Sequence, residues 1–234
     1  GEGTQTQLRI AHQKLQALNH IFISHLHGDH CFGLPGLLSS MHLCGRKAPV
    51  DIYSPVGLKE PLSQLFEVSG SHIDFEIRYH ELSASVPEVV LDHPKCRVTA
   101  FPLVHSVPTY GYLFSETSPR HPNTYAYCCD TGYSEMLLPV ISEVDLLCME
   151  STFMSDFESI ALQKGHLTSI QAATMASKAG AKQLMLTHFS ARYKDVKPMI
   201  EEARSVFPNT IAAEEGKLLV LQRKLETNTS ITNE

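Results

Sequence analysis

The segment His25-Leu26-His27-Gly28-Asp29-His30 limits the possible folds more than any other part of the sequence. It follows the apolar run Asn19–Ser24 directly, and it places four potential metal ligands within six residues. In extended backbone the side chains at positions i and i+2 share a face, whereas in a helix they point to opposite sides. A loop leaving a strand is therefore expected to bring His25, His27 and Asp29 to one region. Imidazole and carboxylate together suit zinc or a similar divalent ion. The alternative is a surface histidine cluster without metal, but so many ligand groups beside a buried strand need a compensating ion.

Three further ligand types follow apolar runs elsewhere in the chain. His105 comes after RVTAFPLV, Asp130 after TYAYCC and His188 after KQLMLT. Each of them taken alone is more often a structural residue. Together with the histidine-rich segment, however, three strands that each end in a ligand type predict a metal site along one rim of a sheet.

The order of apolar runs and amphipathic stretches predicts an α/β fold with a sheet core. The expected strands are Asn19–Ser24, Val50–Tyr53, Phe75–His80, Arg97–Val104, Tyr125–Cys129, Asp145–Met149, Gln183–Thr187 and Lys217–Leu221. The expected helices are Leu34–Leu43, Leu58–Val68, Glu135–Glu143, Ser169–Ala179 and Pro198–Val206. Thr168 or Ser169 is suited to cap the fourth helix, and Gly180 is suited to end it.

Length and composition favour one large soluble domain over residues 1–224, followed by a polar tail, 225–234. The chain has 234 residues, of which 43% are hydrophobic, and no apolar run approaches the ~20 residues of a membrane helix. No signal peptide and no membrane partner are expected. The six cysteines lack CxxC spacing, which predicts buried free thiols in a reducing cytosol. The formal net charge of −6 counts against a nucleic-acid substrate, although bound dications would change the local field.

Several separated motifs resemble the tRNase Z family of the metallo-β-lactamase superfamily. The stretch HIFISHLHGDHCFGLPGLLSS is similar to that family's signature, and so is the opening GEGTQ. HSVPTYGY, CCDTG, MESTF, GHLTSIQAA and THFSARY follow in the family's order. The resemblance extends from Gly1 to about Gln222. It implies an α/β fold of the metallo-β-lactamase type, an αβ/βα four-layer sandwich with the site along the edge shared by two sheets.

The resemblance also implies two divalent metal ions, with zinc the favoured element. In that arrangement three histidines hold the first ion, an aspartate and two histidines hold the second, and one aspartate bridges both. The corresponding residues are His25, His27 and His105 for the first ion, Asp29, His30 and His188 for the second, and Asp130 for the bridge.

The activity that the resemblance implies is endonucleolytic removal of the 3′ trailer from precursor tRNA. Asp29 would orient the attacking water, and His166 would act as general acid with Glu150 holding its orientation. Without the resemblance, His166 reads as a loop histidine and Glu150 as a strand-end carboxylate. Arg192 is a candidate phosphate contact; a surface arginine or a structural ion pair is the alternative.

Two departures from the family pattern concern substrate binding. The N-terminal strands of the family do not precede GEGTQ here, so upstream residues are expected to be missing from this numbering. Only the short stretch 116–123 stands where the family carries a long protruding arm. Either the arm is reduced here or its residues are missing from this numbering, and the second interpretation is favoured. The family further implies a homodimer, and the cysteines predict a cytoplasmic location.

Two other functions remain open at this point. One is a hydrolase of the same fold that acts on a small ester or a cyclic phosphodiester. The other is an RNA-binding subunit without catalysis, which would be expected to lack some of the ligands.

Overall fold

The computed structural model describes residues 1–117 and 122–221. Within these ranges the strands form two sheets. The smaller sheet is parallel, in the order β1-β2-β3, and consists of β1 (His20–Phe22), β2 (Val50–Pro55) and β3 (Ile77–Leu82). The expected polar tail, 225–234, and the centre of the 116–123 connection lie outside the described residues.

The larger sheet is mixed and has the order β10-β9-β8-β7-β6-β5-β4. Its antiparallel half runs from β4 to β7, and its parallel half from β7 to β10. The strands are β4 (Glu88–His93), β5 (Cys96–Pro102), β6 (Tyr110–Glu116), β7 (Thr124–Cys128), β8 (Leu146–Glu150), β9 (Leu184–Thr187) and β10 (Thr210–Ala212).

Seven α-helices accompany the strands in the described residues. They are α1 (Thr4–Ile10), α2 (Gly28–Cys31), α3 (Gly33–Leu43), α4 (Lys59–Val68), α5 (Glu158–Lys164), α6 (Ser169–Ala179) and α7 (Lys197–Arg204). The predicted ends of α6 are confirmed. Thr168 forms a capping box with Gln171, and Gly180 ends the helix in the left-handed conformation, where glycine carries no Cβ penalty.

Three apolar clusters separate the layers. One lies between the smaller sheet and α3 and α4, and another between the larger sheet and α6 and α7. The third lies between the sheets, where the Phe22 and Tyr112 rings meet at 5.2 Å. Tyr112 also donates its hydroxyl to the Ile23 carbonyl across 2.7 Å. The predicted four-layer αβ/βα sandwich is therefore confirmed.

The structure corrects two predicted elements. Residues 135–143 do not form a helix, since only the 3-10 turn Glu135–Leu137 is present; Pro139 lacks the N–H that a helix interior needs. Residues 217–221 do not form a strand, and Leu218 and Val220 expose their side chains. The sequence patterns did not predict strands β4, β6 and β10 or helices α1, α2 and α5. Most of these elements are short or largely exposed, but β6 has seven residues and buries Tyr110 and Tyr112, so neither reason applies to it.

The cysteines are free, as expected. Cys31, Cys128, Cys129 and Cys148 are buried, whereas Cys44 is exposed and Cys96 half-buried, so the expectation of burial is wrong for these two. No helix in the described part of the chain has the length and apolar character needed to cross a membrane.

Candidate active site

Neighbouring parallel strands carry three polar residues to one edge of the larger sheet. Asp130 follows β7, Glu150 ends β8 and His188 follows β9. Because the carboxyl ends of parallel strands lie side by side, this edge is the usual place for a site in open α/β sheets. Asp130 and His188 have φ values of 56° and 57°, a left-handed conformation that is uncommon outside glycine and is found at functional sites.

A first cluster of donor atoms lies around one oxygen of Asp130. The ligand atoms of His25, His27, His105 and Asp130 all lie within 4.8 Å of one another. His25 Nε2 is 3.0 Å from His27 Nδ1. Asp130 Oδ2 is 3.5 Å from His25 Nε2 and 3.7 Å from His105 Nε2.

A second cluster lies around the other oxygen of Asp130. Asp130 Oδ1 is 3.5 Å from His30 Nε2 and 3.2 Å from His188 Nε2. Cys129, which the sequence reasoning missed, adds its Sγ to this group within 4.8 Å and donates to Asp130 Oδ1 across 3.2 Å. Its only signal in the sequence is its position directly before Asp130. The carboxylate of Asp130 thus faces both clusters.

Asp29 lies at the margin of the second cluster. Its Oδ2 is 3.3 Å from His30 Nε2 and 3.8 Å from His188 Nε2, but its side chain is 63% exposed. The spacing alone predicted that Asp29 would join His25 and His27, because it assumed extended backbone throughout, whereas the family resemblance grouped Asp29 with His30 and His188. Extended backbone ends at His27 and the helical turn α2 begins at Gly28, so Asp29 points to the other cluster.

Two of the ring nitrogens that face the clusters are available to bind a cation. His105 Nδ1 is 2.9 Å from the Gly165 carbonyl, and a carbonyl only accepts, so this nitrogen carries the proton. In the described part of the chain, His105 Nε2 and His30 Nε2 are buried without any hydrogen-bond partner. Such buried polar atoms are costly unless something satisfies them. A metal ion between them and the Asp130 carboxylate fits this requirement.

The charge state of these groups also suits metal binding. Burial lowers the pKa of His25 to about 4, and burial lowers the pKa of His30 as well. Burial acts to raise the pKa of Asp130, but the neighbouring His188 and His30 outweigh it, so that pKa lies below its usual value. Neutral imidazoles around an ionised carboxylate are the form in which these side chains bind metals.

Glu150 is fully buried and joins several parts of the site. Its Oε1 accepts from Thr131 N and from His166 Nδ1, both across 2.8 Å. Its Oε2 accepts from Thr152 Oγ1 across 2.6 Å and from Leu167 N across 3.1 Å. The structure therefore brings Glu150 and His166 together, as the sequence reasoning expected.

His166 lies beside both clusters. Its ring centroid is 5.2 Å from that of His105 and 5.4 Å from that of His188. Burial acts to lower the pKa of His166, but the hydrogen bond and the charge of Glu150 outweigh burial and raise this pKa. A histidine with a raised pKa that is close to the clusters can hold and release a proton there.

Arg192 is exposed and lies close to two aromatic rings. Its guanidinium carbon is 4.9 Å from the Phe153 ring centroid and 4.7 Å from that of Phe157. Among the described residues no carboxylate lies within ion-pair distance of it. The stacked guanidinium leaves its N–H groups available to an anion.

Known proteins resemble this chain over most of its length. Residues 3–189 match the β-lactamase superfamily domain. The ribonuclease Z of Porphyromonas gingivalis is 38% identical over 92% of this chain and 86% of its own length. That of Bacteroides fragilis is 37% identical over 94% of this chain and 88% of its own length. The chain belongs to the ribonuclease Z family.

A solved ribonuclease Z structure gives the same result at the level of the fold. The short form of human tRNase Z superposes with a TM-score of 0.79 at 30% identity, and the match covers 95% of this chain and 86% of the human one. As a member of the ribonuclease Z family, the chain is an endoribonuclease, a hydrolase of the tRNase Z type. The His/Asp clusters suit the divalent metal ions on which such a hydrolase depends.

Proposed function

We propose that this ribonuclease Z removes the 3′ trailer of precursor tRNA by hydrolysing one phosphodiester bond with two divalent ions, most favourably zinc. The observation that carries the proposal is the position of the Asp130 carboxylate. Its Oδ2 faces His25 and His105, and its Oδ1 faces His30 and His188. One carboxylate between two sets of imidazoles is the arrangement expected of a bridging ligand.

The proposed ligands follow from these contacts and from the family resemblance. His25, His27 and His105 would hold the first ion, Asp29, His30 and His188 the second, and Asp130 both. Two such ions supply a nucleophile at neutral pH and neutralise charge on the phosphodiester. Imidazole and carboxylate donors are typical of zinc sites, and they also suit other divalent metals.

Asp29 is the proposed acceptor of the proton of the attacking water. Its exposed carboxylate lies at the margin of the second cluster, 3.8 Å from His188 Nε2, where water and substrate can reach it. From this position it can orient a water for in-line attack on phosphorus.

His166 is the proposed general acid for the leaving group, the 3′ oxygen of the tRNA body. The carboxylate of Glu150 accepts from its Nδ1, so the ring is held with Nε2 as the atom left to give a proton. Glu150 also raises the pKa of His166, which keeps the acid form present at higher pH. A positioned general acid typically contributes ~10²–10⁴-fold in rate.

Arg192 is the proposed contact to an RNA phosphate near the cut. Its guanidinium stacks near Phe153 and Phe157. Phe153 belongs to the same segment as Glu150, the one that follows β8. A fixed planar guanidinium suits phosphate oxygens, which it can bind with two N–H groups at once.

The test is cleavage of a precursor tRNA that carries a 3′ trailer, with the product ends mapped. Wild-type protein should cut once at the junction of acceptor stem and trailer, and a chelator should abolish the cut until zinc is restored. A mature tRNA without trailer is the matched substrate control. Intact precursor from protein that holds two ions would contradict the proposal and would favour a hydrolase of small esters or cyclic phosphodiesters.

Two further parts of the proposal rest on the family resemblance and on the cysteines. We propose a homodimer, which sedimentation equilibrium of the purified chain tests directly, and a cytoplasmic location, with which six free cysteines agree. A monomer at all concentrations that support cleavage would contradict the first.

A further inference from the structure

The Thr152 hydroxyl oxygen lies between Glu150 and His188. Thr152 Oγ1 is 2.6 Å from Glu150 Oε2 and 2.9 Å from His188 Nδ1. Neither the sequence motifs nor the ligand set gives this threonine a role. Its side chain is buried, as is the carboxylate that it contacts, so water cannot readily replace either hydrogen bond.

The single hydroxyl proton decides the direction of both bonds. The carboxylate of Glu150 accepts from every neighbour described above, and an O–O distance of 2.6 Å is typical of a hydroxyl that donates to an ionised oxygen. Thr152 therefore donates to Glu150 and has only lone pairs left for its two histidine contacts, His188 and, at the longer distance of 3.4 Å, His166 Nδ1. It follows that His188 Nδ1 carries the ring proton and donates it to Thr152.

This direction fixes the chemical form of His188 at the second cluster. With the proton on Nδ1, the lone pair of the neutral ring is on Nε2, which is 3.2 Å from Asp130 Oδ1. Only this tautomer presents a lone pair to a cation at that position. The other tautomer would direct an N–H at the place of the ion.

The backbone supports the same orientation. Ser151 N donates to the Thr187 carbonyl across 2.8 Å, and Ser190 N donates to the Thr152 carbonyl across 3.2 Å. These two bonds hold the segment after β8 beside the turn after β9, on both sides of His188. Because His188 has a left-handed backbone, its ring leaves the strand at a sharp turn and needs a fixed partner at Nδ1.

We propose that Thr152 is a positioning residue, which links the buried carboxylate of Glu150 to His188 and holds His188 Nε2 ready for the second divalent ion. The inference rests on the proposed two-metal function. Glu150 then orients two histidines, His166 directly and His188 through Thr152. Their rings are nearly parallel, with an interplanar angle of 24°, so the proton donor and the second metal site are placed relative to each other by one carboxylate.

The experiment compares Thr152→Val with Thr152→Ser in the full chain. Valine keeps the shape of the side chain but has no hydroxyl, whereas serine keeps the hydroxyl. We expect T152V to hold the first ion normally and to bind the second ~10–100-fold more weakly, the usual effect of losing an outer partner of a metal-binding histidine. T152S should bind both ions within about threefold of wild type. Titration of metal-free protein with zinc, followed by calorimetry and elemental analysis, measures both affinities.

Thr174→Val is the matched control, because Thr174 Oγ1 donates to the Ile170 carbonyl within α6 across 2.7 Å, away from the metal clusters. Thermal unfolding of the metal-free variants separates a loss of fold from a loss of metal binding. Unchanged affinity for the second ion in T152V would overturn the role of Thr152 and leave the proposed function intact. If T152S loses as much affinity for the second ion as T152V does, the role of the Thr152 hydroxyl is overturned too. A wild-type protein that binds a single ion would overturn both proposals together.

Discussion

His166 Nδ1 and Glu150 Oε1 lie 2.8 Å apart, and the Glu150 side chain has no exposure to solvent. The pair lies where the segment after β8 meets the segment before α6, which are joined by a bridge between Phe153 and Thr168. The pKa of His166 is raised in this position because the hydrogen bond and charge of Glu150 outweigh its burial. If His166 donates the proton to the leaving group, the pH dependence of cleavage depends on Glu150.

Replacing Glu150 with glutamine should move the alkaline limb of the rate profile to lower pH. His166 must be protonated to act as an acid, so activity is lost as pH rises through its pKa. Glu150 raises that pKa, and a neutral amide would remove most of this effect. The measurement is kcat against pH at saturating precursor tRNA, with metal content checked at each pH. Glu135→Gln, which removes the carboxylate of a surface ion pair with Lys178, should leave the limb unchanged. If the alkaline limb of E150Q lies at the same pH as that of the wild type, the role of Glu150 is contradicted.

Removing the imidazole of His166 should slow the chemical step without removing metal. We expect His166→Ala to lower kcat by ~10²–10⁴-fold while both ions stay bound, since its Nδ1 is taken by Glu150. Single-turnover cleavage measures the rate of the chemical step, and elemental analysis measures the metal content. His72→Ala changes an exposed histidine that contacts Asp74, and it should behave as wild type. Turnover by H166A at the wild-type rate would remove His166 from the mechanism.

Changing Asp130 to asparagine should abolish stoichiometric binding of both ions. Asparagine tolerates the left-handed backbone that Asp130 adopts, with φ at 56°, so the variant tests the charge and not the backbone. We expect cleavage to fall to background and zinc content to drop below one ion per chain. The control is Asp92→Asn, which removes an exposed carboxylate paired with Arg97. Two tightly bound ions in D130N would show that Asp130 is not the bridge.

Arg192 should affect substrate binding more than chemistry. Arg192→Lys keeps the charge but loses the planar group that stacks near Phe153 and Phe157. We expect it to raise KM for precursor tRNA several-fold with kcat nearly unchanged, and Arg192→Ala to raise KM further and to reduce the salt dependence of binding. Arg97→Lys, at an exposed ion pair, is the matched control. A fall in kcat alone, at constant KM, would contradict a phosphate contact.

Much of the fold could be predicted because local patterns carry it. The ends of α6 follow from Thr168 and Gly180, whose capping preferences act within a few residues. Apolar runs predicted β2, β7, β8 and β9, because such a run is also a local property of the sequence. Strands β4 and β10 could not be predicted from their own residues, because β4 is largely exposed and β10 has only three residues. Both form by pairing with neighbouring strands, β5 and β9.

The candidate ligands were found because each of them follows an apolar run or belongs to the His25–His30 segment. That pattern could name Asp130 and His188 as candidates, since a residue at a strand end lies at the sheet rim whatever the strand order. It could not foresee that Asp29 faces the second cluster, because the backbone changes from extended at His27 to the turn α2 at Gly28; only the family resemblance placed Asp29 in that group.

The sequence by itself thus determined the layered fold, the family and the residues that are able to bind metal, since spacing and residue type encode them. Tertiary structure alone decided which atoms meet. The two oxygens of Asp130 face different histidines, and Thr152 lies between Glu150 and His188. These contacts depend on the register of β7, β8 and β9 and on two left-handed residues at their ends. A shift of one residue in register would displace the strand ends that carry these side chains relative to one another.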